Sequence, residues 1–202
     1  MRPGSIDRKA QILEKATNLF SDAGYDKVTI KQLADACSIT EPALYRHYAS
    51  KEAIYESVLD AIESRLGTND IFPGLEKHTE IEPFLEEFAI HIIRYFTKNE
   101  DIYRLLLFSA LRGHGKAKRV YQIIRGTYVK FLVKQLDRYY EEGKIIKKNN
   151  EITARCFTGM VFDCALSTTL WKGFQGKSYK PEDVVANNVP IYARGLTTKT
   201  ED

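Results

Sequence analysis

The sequence predicts an all-α protein: an N-terminal three-helix unit of helix-turn-helix layout joined to a larger helical bundle, about nine helices in all. Three observations predict it. Apolar residues recur at three- and four-residue spacing, the 12 Gly and 6 Pro fall at punctuation points between those stretches, and internal repeats and low-complexity tracts are absent.

The first helix is expected over 7–23, where Ile12, Leu13, Ala16, Leu19 and Phe20 form one apolar stripe and Gly24 supplies the stop. Thr29 stands before Ile30–Ala36 as a cap, with Gln32 in the place of a capping-box partner, so a short second helix follows. Cys37-Ser38-Ile39 breaks the period. Thr40 caps again, and Glu41-Pro42 opens a third helix ending near Tyr48, an acid and a proline both being favoured in a first turn. A fourth helix over about 50–66 carries Ile54, Val58, Ala61, Ile62 and Leu66 toward Gly67. After the loop at Phe72-Pro73-Gly74, helices are expected near 81–98, 101–112, 117–143, 150–172 and 181–196, with Gly113, Gly143 and Gly173 as breaks.

At 202 residues the chain holds two modules at most. Its 44% hydrophobic and 28% charged residues are those of a globular protein of the cytoplasm, and no apolar run approaches the roughly 20 residues of a membrane span. No secretion signal is read in Met1–Ser5 and the charged stretch after it. Cys37, Cys156 and Cys164 are odd in number and lack CxxC spacing, which argues against a disulfide framework or zinc site; neither metal nor cofactor is expected. The net charge of +3 is small, and residues 1–66 carry nine Lys and Arg against ten Asp and Glu. Nucleic-acid binding by this segment would therefore rest on positioned charges rather than a bulk basic field.

Two short helices joined by a tight turn, the second with a capped polar start, have the layout that places a helix in the DNA major groove. Leu19-Phe20, Gly24-Tyr25, Val28-Thr29-Ile30, Leu33-Ala34 and Ile39-Thr40-Glu41-Pro42-Ala43-Leu44-Tyr45-Arg46-His47-Tyr48-Ala49-Ser50-Lys51-Glu52 make the pattern specific. Over about residues 8–66 it resembles the N-terminal signature of the TetR family of bacterial transcription regulators. Two positions depart from that pattern: Ser38 stands at the turn where the family commonly has Gly, which implies left-handed strain, and Pro42 replaces another frequent Gly, changing the shape offered to the bases.

The resemblance and the helix-turn-helix geometry together make Glu41, Ala43 and Arg46 the expected base-reading residues, with Arg46 able to grip a guanine through two bonds and Ala43 to pack on a thymine methyl. Glu41 has a second role open to it, favouring the helix dipole. Thr29, Lys31, Thr40, Tyr45, His47 and Lys51 suit phosphate contacts. Leu44 and Tyr48 share one face and should pack on Leu33 and Phe20.

In the larger half, aromatic residues at helical spacing read mainly as core. The resemblance implies a small effector held between these helices, and an apolar pocket with a few polar anchors points to a hydrophobic or aromatic one. His91, Tyr95, Phe108, Arg112, Tyr128, Phe162, Asp163 and Trp171 are the expected effector residues, with Arg94 and Thr168 as further polar candidates. Asp163 lies among apolar neighbours, which a pocket or a subunit contact would explain. Small residues Ala154, Gly159, Ala165 and Ser167 alternate with Phe157, Met160 and Leu170, and the resemblance assigns this helix and the last one to a twofold dimer interface. The expected division is a DNA-binding domain over 1–50, a linking helix over about 50–66, and an effector-binding and dimerisation domain over 51–202. Its partners would be double-stranded DNA with a palindromic operator, a small-molecule effector and a second copy of the chain, and no membrane.

Two rival readings fare less well. An enzyme finds no phosphate-cradling Gly-rich loop, GxSxG elbow or HExxH, and His47, His78, His91 and His114 are scattered. A helical module that binds protein instead of DNA draws its support from the acidic balance of residues 1–66.

Overall fold

The computed structural model describes residues 5–66, 72–171 and 179–197. Among them it has the nine α-helices that the periodicity predicts and no strand: α1 (Ser5–Ala23), α2 (Ile30–Ala36), α3 (Glu41–Tyr45), α4 (Lys51–Leu66), α5 (Ile81–Lys98), α6 (Glu100–Leu111), α7 (Gly115–Glu141), α8 (Asn150–Thr168) and α9 (Pro181–Leu196). No helix among the described residues is long and apolar enough to cross a membrane. Gly67 and Gly173, expected as helix stops, lie outside the described residues.

The ends of α3 and α8 fall furthest short of those the periodicity predicts, for local reasons. In α3 the Leu44 carbonyl accepts from both His47 N–H (2.9 Å) and Tyr48 N–H (3.1 Å), so the chain tightens into a turn after Tyr45. At the end of α8 the Thr168 hydroxyl donates to Cys164 O (2.9 Å) and that of Thr169 to Ala165 O (2.7 Å), and the helix stops there rather than at 172. Side-chain hydroxyls that bond back onto the last carbonyls bend or close a helix.

The chain forms two compact units. The first joins Met1–Asn69 with Asp101–Gln122, so α6 and the start of α7 share a unit with the N-terminal helices. Its core is Ile12, Ala16 and Phe20 of α1, Leu33 and Ala34 of α2, Leu44 of α3, and Ile54, Tyr55, Val58 and Leu59 of α4. Each large apolar side chain so buried contributes about 1.5–3 kcal/mol. Phe20, Tyr25 and Tyr55 form an aromatic triangle with centroid separations of 5.7, 5.2 and 4.8 Å, and the buried Tyr55 hydroxyl is hydrogen-bonded to Ser109 of α6.

The second unit joins Asp70–Glu100 with Ile123–Asp202. Here α5 packs on α8 and α9, burying Phe84, Phe88, Ile92 and Phe96 against Tyr128 and Leu132 of α7, Phe157 and Phe162 of α8, and Val185 and Val189 of α9. Phe72 stacks on Phe131 at 3.9 Å between centroids. Arg138 and Tyr139 bind the segment before α5: the guanidinium donates to Glu76 O (2.7 Å) and His78 O (3.0 Å), and the Tyr139 hydroxyl donates to His78 O (2.9 Å).

Candidate nucleic-acid interface

The interface is built by two capped helix starts and the turn between them. Thr29 and Gln32 satisfy each other reciprocally: Gln32 N–H donates to Thr29 Oγ1 (3.2 Å) and Thr29 N–H to Gln32 Oε1 (2.8 Å), the capping box the sequence predicts. Thr40 Oγ1 accepts from Ala43 N–H (3.3 Å), fixing the front of α3, with Pro42 in its first turn where a missing N–H is no loss. Between the helices, Ser38 has φ 52°. It is the one non-glycine residue with positive φ among those described, at the position where left-handed strain is expected.

This frame sets the side chains in three groups. Glu41 and Arg46 are exposed at the two ends of α3, and Ala43 is half-buried between them. Thr29, Lys31, Thr40 and Tyr45 are exposed around this front and His47 is half-buried. Leu44 faces inward at 1% exposure, and Tyr48 is half-buried with Lys9 Nζ 5.8 Å from its ring centroid. Burial pushes the Tyr48 hydroxyl up from its ordinary pKa.

Lys51 does something the sequence does not show. Its Nζ donates to Tyr25 O and Val28 O, both at 2.9 Å, and lies 4.3 Å from the Tyr25 ring centroid. The ammonium thus closes the chain segment leading into α2, a task inside the fold rather than an outward one. Charge-assisted bonds and a cation–π contact together hold it.

Four of the ten acidic residues of 1–66 are answered by cations arriving from α6 and α7. Asp22 pairs with Arg104 at 3.2 Å, Asp26 with Arg112, and Lys116 with both Glu56 (2.5 Å) and Asp60 (2.9 Å). Part of the acidic count of residues 1–66 is therefore offset within the fold. These partners lie 56 to 86 residues apart in the chain, beyond any local sequence signal.

The expected effector residues are divided between the two units. His91, Arg94 and Tyr95 line a shallow cleft of about 230 Å³ along α5, with Glu87, Ile90 and Lys98. Tyr128 and Phe162 are buried with ring centroids 5.7 Å apart, and Arg125 lies 5.3 Å over the Phe162 ring. Phe108 and Arg112 do not join them: both are exposed on α6 in the first unit, and Arg112 is engaged by Asp26. Asp163 is exposed on α8 rather than enclosed, and Trp171 is 51% exposed. Thr168 spends its hydroxyl on the α8 backbone.

A short capped helix held on a three-helix core with its front exposed has the layout of a helix-turn-helix DNA-binding domain. Residues 12–58 match the model of the bacterial regulatory proteins, tetR family, so this stretch is a DNA-binding domain of that family's type. The chain is similar to the nucleoid occlusion factor SlmA of Haemophilus ducreyi, 27% identical over 155 residues covering 75% of this chain and 76% of that protein. The SlmA of Alteromonas mediterranea is 29% identical over 159 residues, 75% of this chain and 80% of the relative. Among solved structures, AibR in complex with isovaleryl coenzyme A and operator DNA shares the fold, with TM-score 0.65 and 22% identity over 91% of this chain and 97% of that one. A transcriptional regulator from Saccharomonospora viridis in complex with choline reaches TM-score 0.75 at 12% identity, over 96% of this chain and all of the other.

Proposed function

We propose that this regulator is a repressor working in the cytoplasm, a homodimer that binds a palindromic operator and leaves it when a small hydrophobic or aromatic effector binds. The observation that carries the reading is the exposed front of α3, where Glu41, Ala43 and Arg46 stand at a start fixed by Thr40. Glu41, Ala43 and Arg46 read base edges, while Thr29, Lys31, Thr40, Tyr45 and His47 set the register on phosphates. Lys51 contributes by holding the segment before α2 in place, and only secondarily by its charge.

One α3 reads too few base pairs for a specific site, and a twofold dimer addresses half-sites about 34 Å apart. The exposed side chains of Ile152, Trp171 and Ile191 on and beside α8 and α9 support a dimer through those helices, with Asp163 at the same surface. In this reading residues 1–50 bind DNA, the helix over about 50–66 links, and 51–202 serve effector and partner subunit. His91, Tyr95, Tyr128 and Phe162 in the second unit form the effector set. The neighbours' ligands, isovaleryl coenzyme A and choline, differ too much in chemistry to lend this chain an effector.

Selection of bound duplexes from a random library by the full-length protein tests the proposal. Enrichment of a sequence with twofold symmetry, bound with an affinity that falls steeply with salt, is expected; enrichment of no symmetric sequence refutes it. The SlmA relatives favour a second reading, a part in nucleoid occlusion. That reading predicts misplaced division septa on deletion of the gene, where a simple repressor predicts only altered transcription near its operator.

A further inference from the structure

Among the described residues, Glu52, Glu56 and His114 bring three metal-ligating atoms within 4.8 Å of one another. Glu52 and Glu56 are one turn apart on α4 and share a face, and His114 stands in the turn between α6 and α7. His114 Nε2 lies 3.7 Å from Glu52 Oε1 and 3.6 Å from Glu56 Oε1. Those separations are too long for hydrogen bonds. They lie close to those of a ligand set: donors about 2.0–2.2 Å from a shared tetrahedral cation stand roughly 3.3–3.6 Å from each other.

Neighbouring groups hold the donors in place. The other carboxylate oxygen of Glu56 accepts from Lys116 Nζ at 2.5 Å, Glu52 is hydrogen-bonded to the Tyr25 hydroxyl, and the imidazole packs edge-on against Tyr55 with centroids 4.8 Å apart. The ammonium of Lys116 opposes a second cation, yet its charge is already shared with Asp60 at 2.9 Å and the Glu56 carbonyl at 3.2 Å.

We propose that Glu52, Glu56 and His114 form a binding site for a divalent transition-metal cation of the Zn²⁺ class. Two carboxylates balance the charge, and the imidazole nitrogen selects against Mg²⁺ and Ca²⁺, which prefer oxygen alone. When Nε2 ligates, Nδ1 carries the proton, so its 3.4 Å contact with the Ala117 N–H opens. Metal binding therefore exchanges a weak cap at the start of α7 for a clamp between the α6–α7 turn and α4, the helix that follows α3. The site is independent of the DNA-reading proposal.

The test titrates Zn²⁺ into chelator-treated full-length protein against a chromophoric indicator, with exposed Cys156 replaced in a C156S background so that no stray thiolate binds. One Zn²⁺ per chain is expected, uncompeted by Mg²⁺, and H114A and E52Q each weaken it by at least about tenfold. Co²⁺ serves as a second probe: its d–d absorption appears in the parent and disappears in both variants. Glu52 is more than half exposed, so E52Q keeps the fold, as helical circular dichroism will verify. Zn²⁺ affinity unchanged in either variant, or no stoichiometric uptake by the parent, overturns the site.

Discussion

Lys51 and Tyr25 are bound to each other twice, the Lys51 ammonium lying 4.3 Å from the centre of the Tyr25 ring while donating to the Tyr25 backbone carbonyl at 2.9 Å. The same nitrogen also holds Val28 O at 2.9 Å. One side chain thus fixes both ends of the short segment that delivers Thr29 to its capping position.

Lys51→Ala should therefore lower stability, by about 1.5–3 kcal/mol, the worth of a hydrogen bond to a charged group. Urea denaturation of the full chain measures it. An unchanged midpoint with weakened DNA binding would show instead that the ammonium faces phosphate.

Arg46→Ala should flatten sequence preference by about 1–3 kcal/mol between the selected operator and variants of one base pair. Lys31→Ala, in contrast, should weaken all duplexes alike and reduce the slope of log affinity against log salt by about one. Band-shift titrations at several salt concentrations separate the two, and equal behaviour of both variants would contradict the assignment.

Ser38→Gly should stabilise the first unit by about 0.5–1 kcal/mol. The left-handed backbone at φ 52° costs an L-residue about 1–2 kcal/mol, and the greater freedom of glycine in the unfolded chain takes part of that gain back. Thermal melting decides; a lower Tm would mean that the serine side chain supplies a bond worth more than the strain.

Alkaline pH should destabilise the protein. The hydroxyls of Tyr48, Tyr55 and Tyr139 are pushed above their ordinary value of 10.0, in each case chiefly by burial, and burial pushes the Cys164 thiol up to about 11. Folded protein then keeps protons that the unfolded chain releases, so stability is full below about pH 9, falls as pH rises through the unfolded values, and is lost progressively to the folded ones. Urea midpoints from pH 8 to 11 check this. A flat profile would show that these groups ionise in place.

Much of the fold was legible because its signals are local. Ile12, Ala16 and Phe20 mark their helix by spacing alone, Thr29 with Gln32 announces a capping box, and the strain at Ser38 follows from the residue type at a turn. The front of α3 was legible for the same reason. Lys51 was not, since its two carbonyl partners lie 23 and 26 positions away. Nor could Arg112 be placed: as a cation amid aromatics it reads as a ligand anchor, and only the fold brings it to Asp26, 86 positions earlier. Asp163 could not be assigned between a pocket and a subunit contact, because apolar neighbours in sequence on a helix point in different directions, and only the fold shows it exposed.

The dependence of the N-terminal acids on Arg104, Arg112 and Lys116 bears on how this protein can be dissected. A fragment cut after residue 66 would keep Asp22, Asp26, Glu56 and Asp60 but lose every one of those cations, along with the Ser109 partner of Tyr55. Such a fragment would meet a polyanion with its acids bare, and a chimera meant to transplant its operator choice must import residues 101–122 as well.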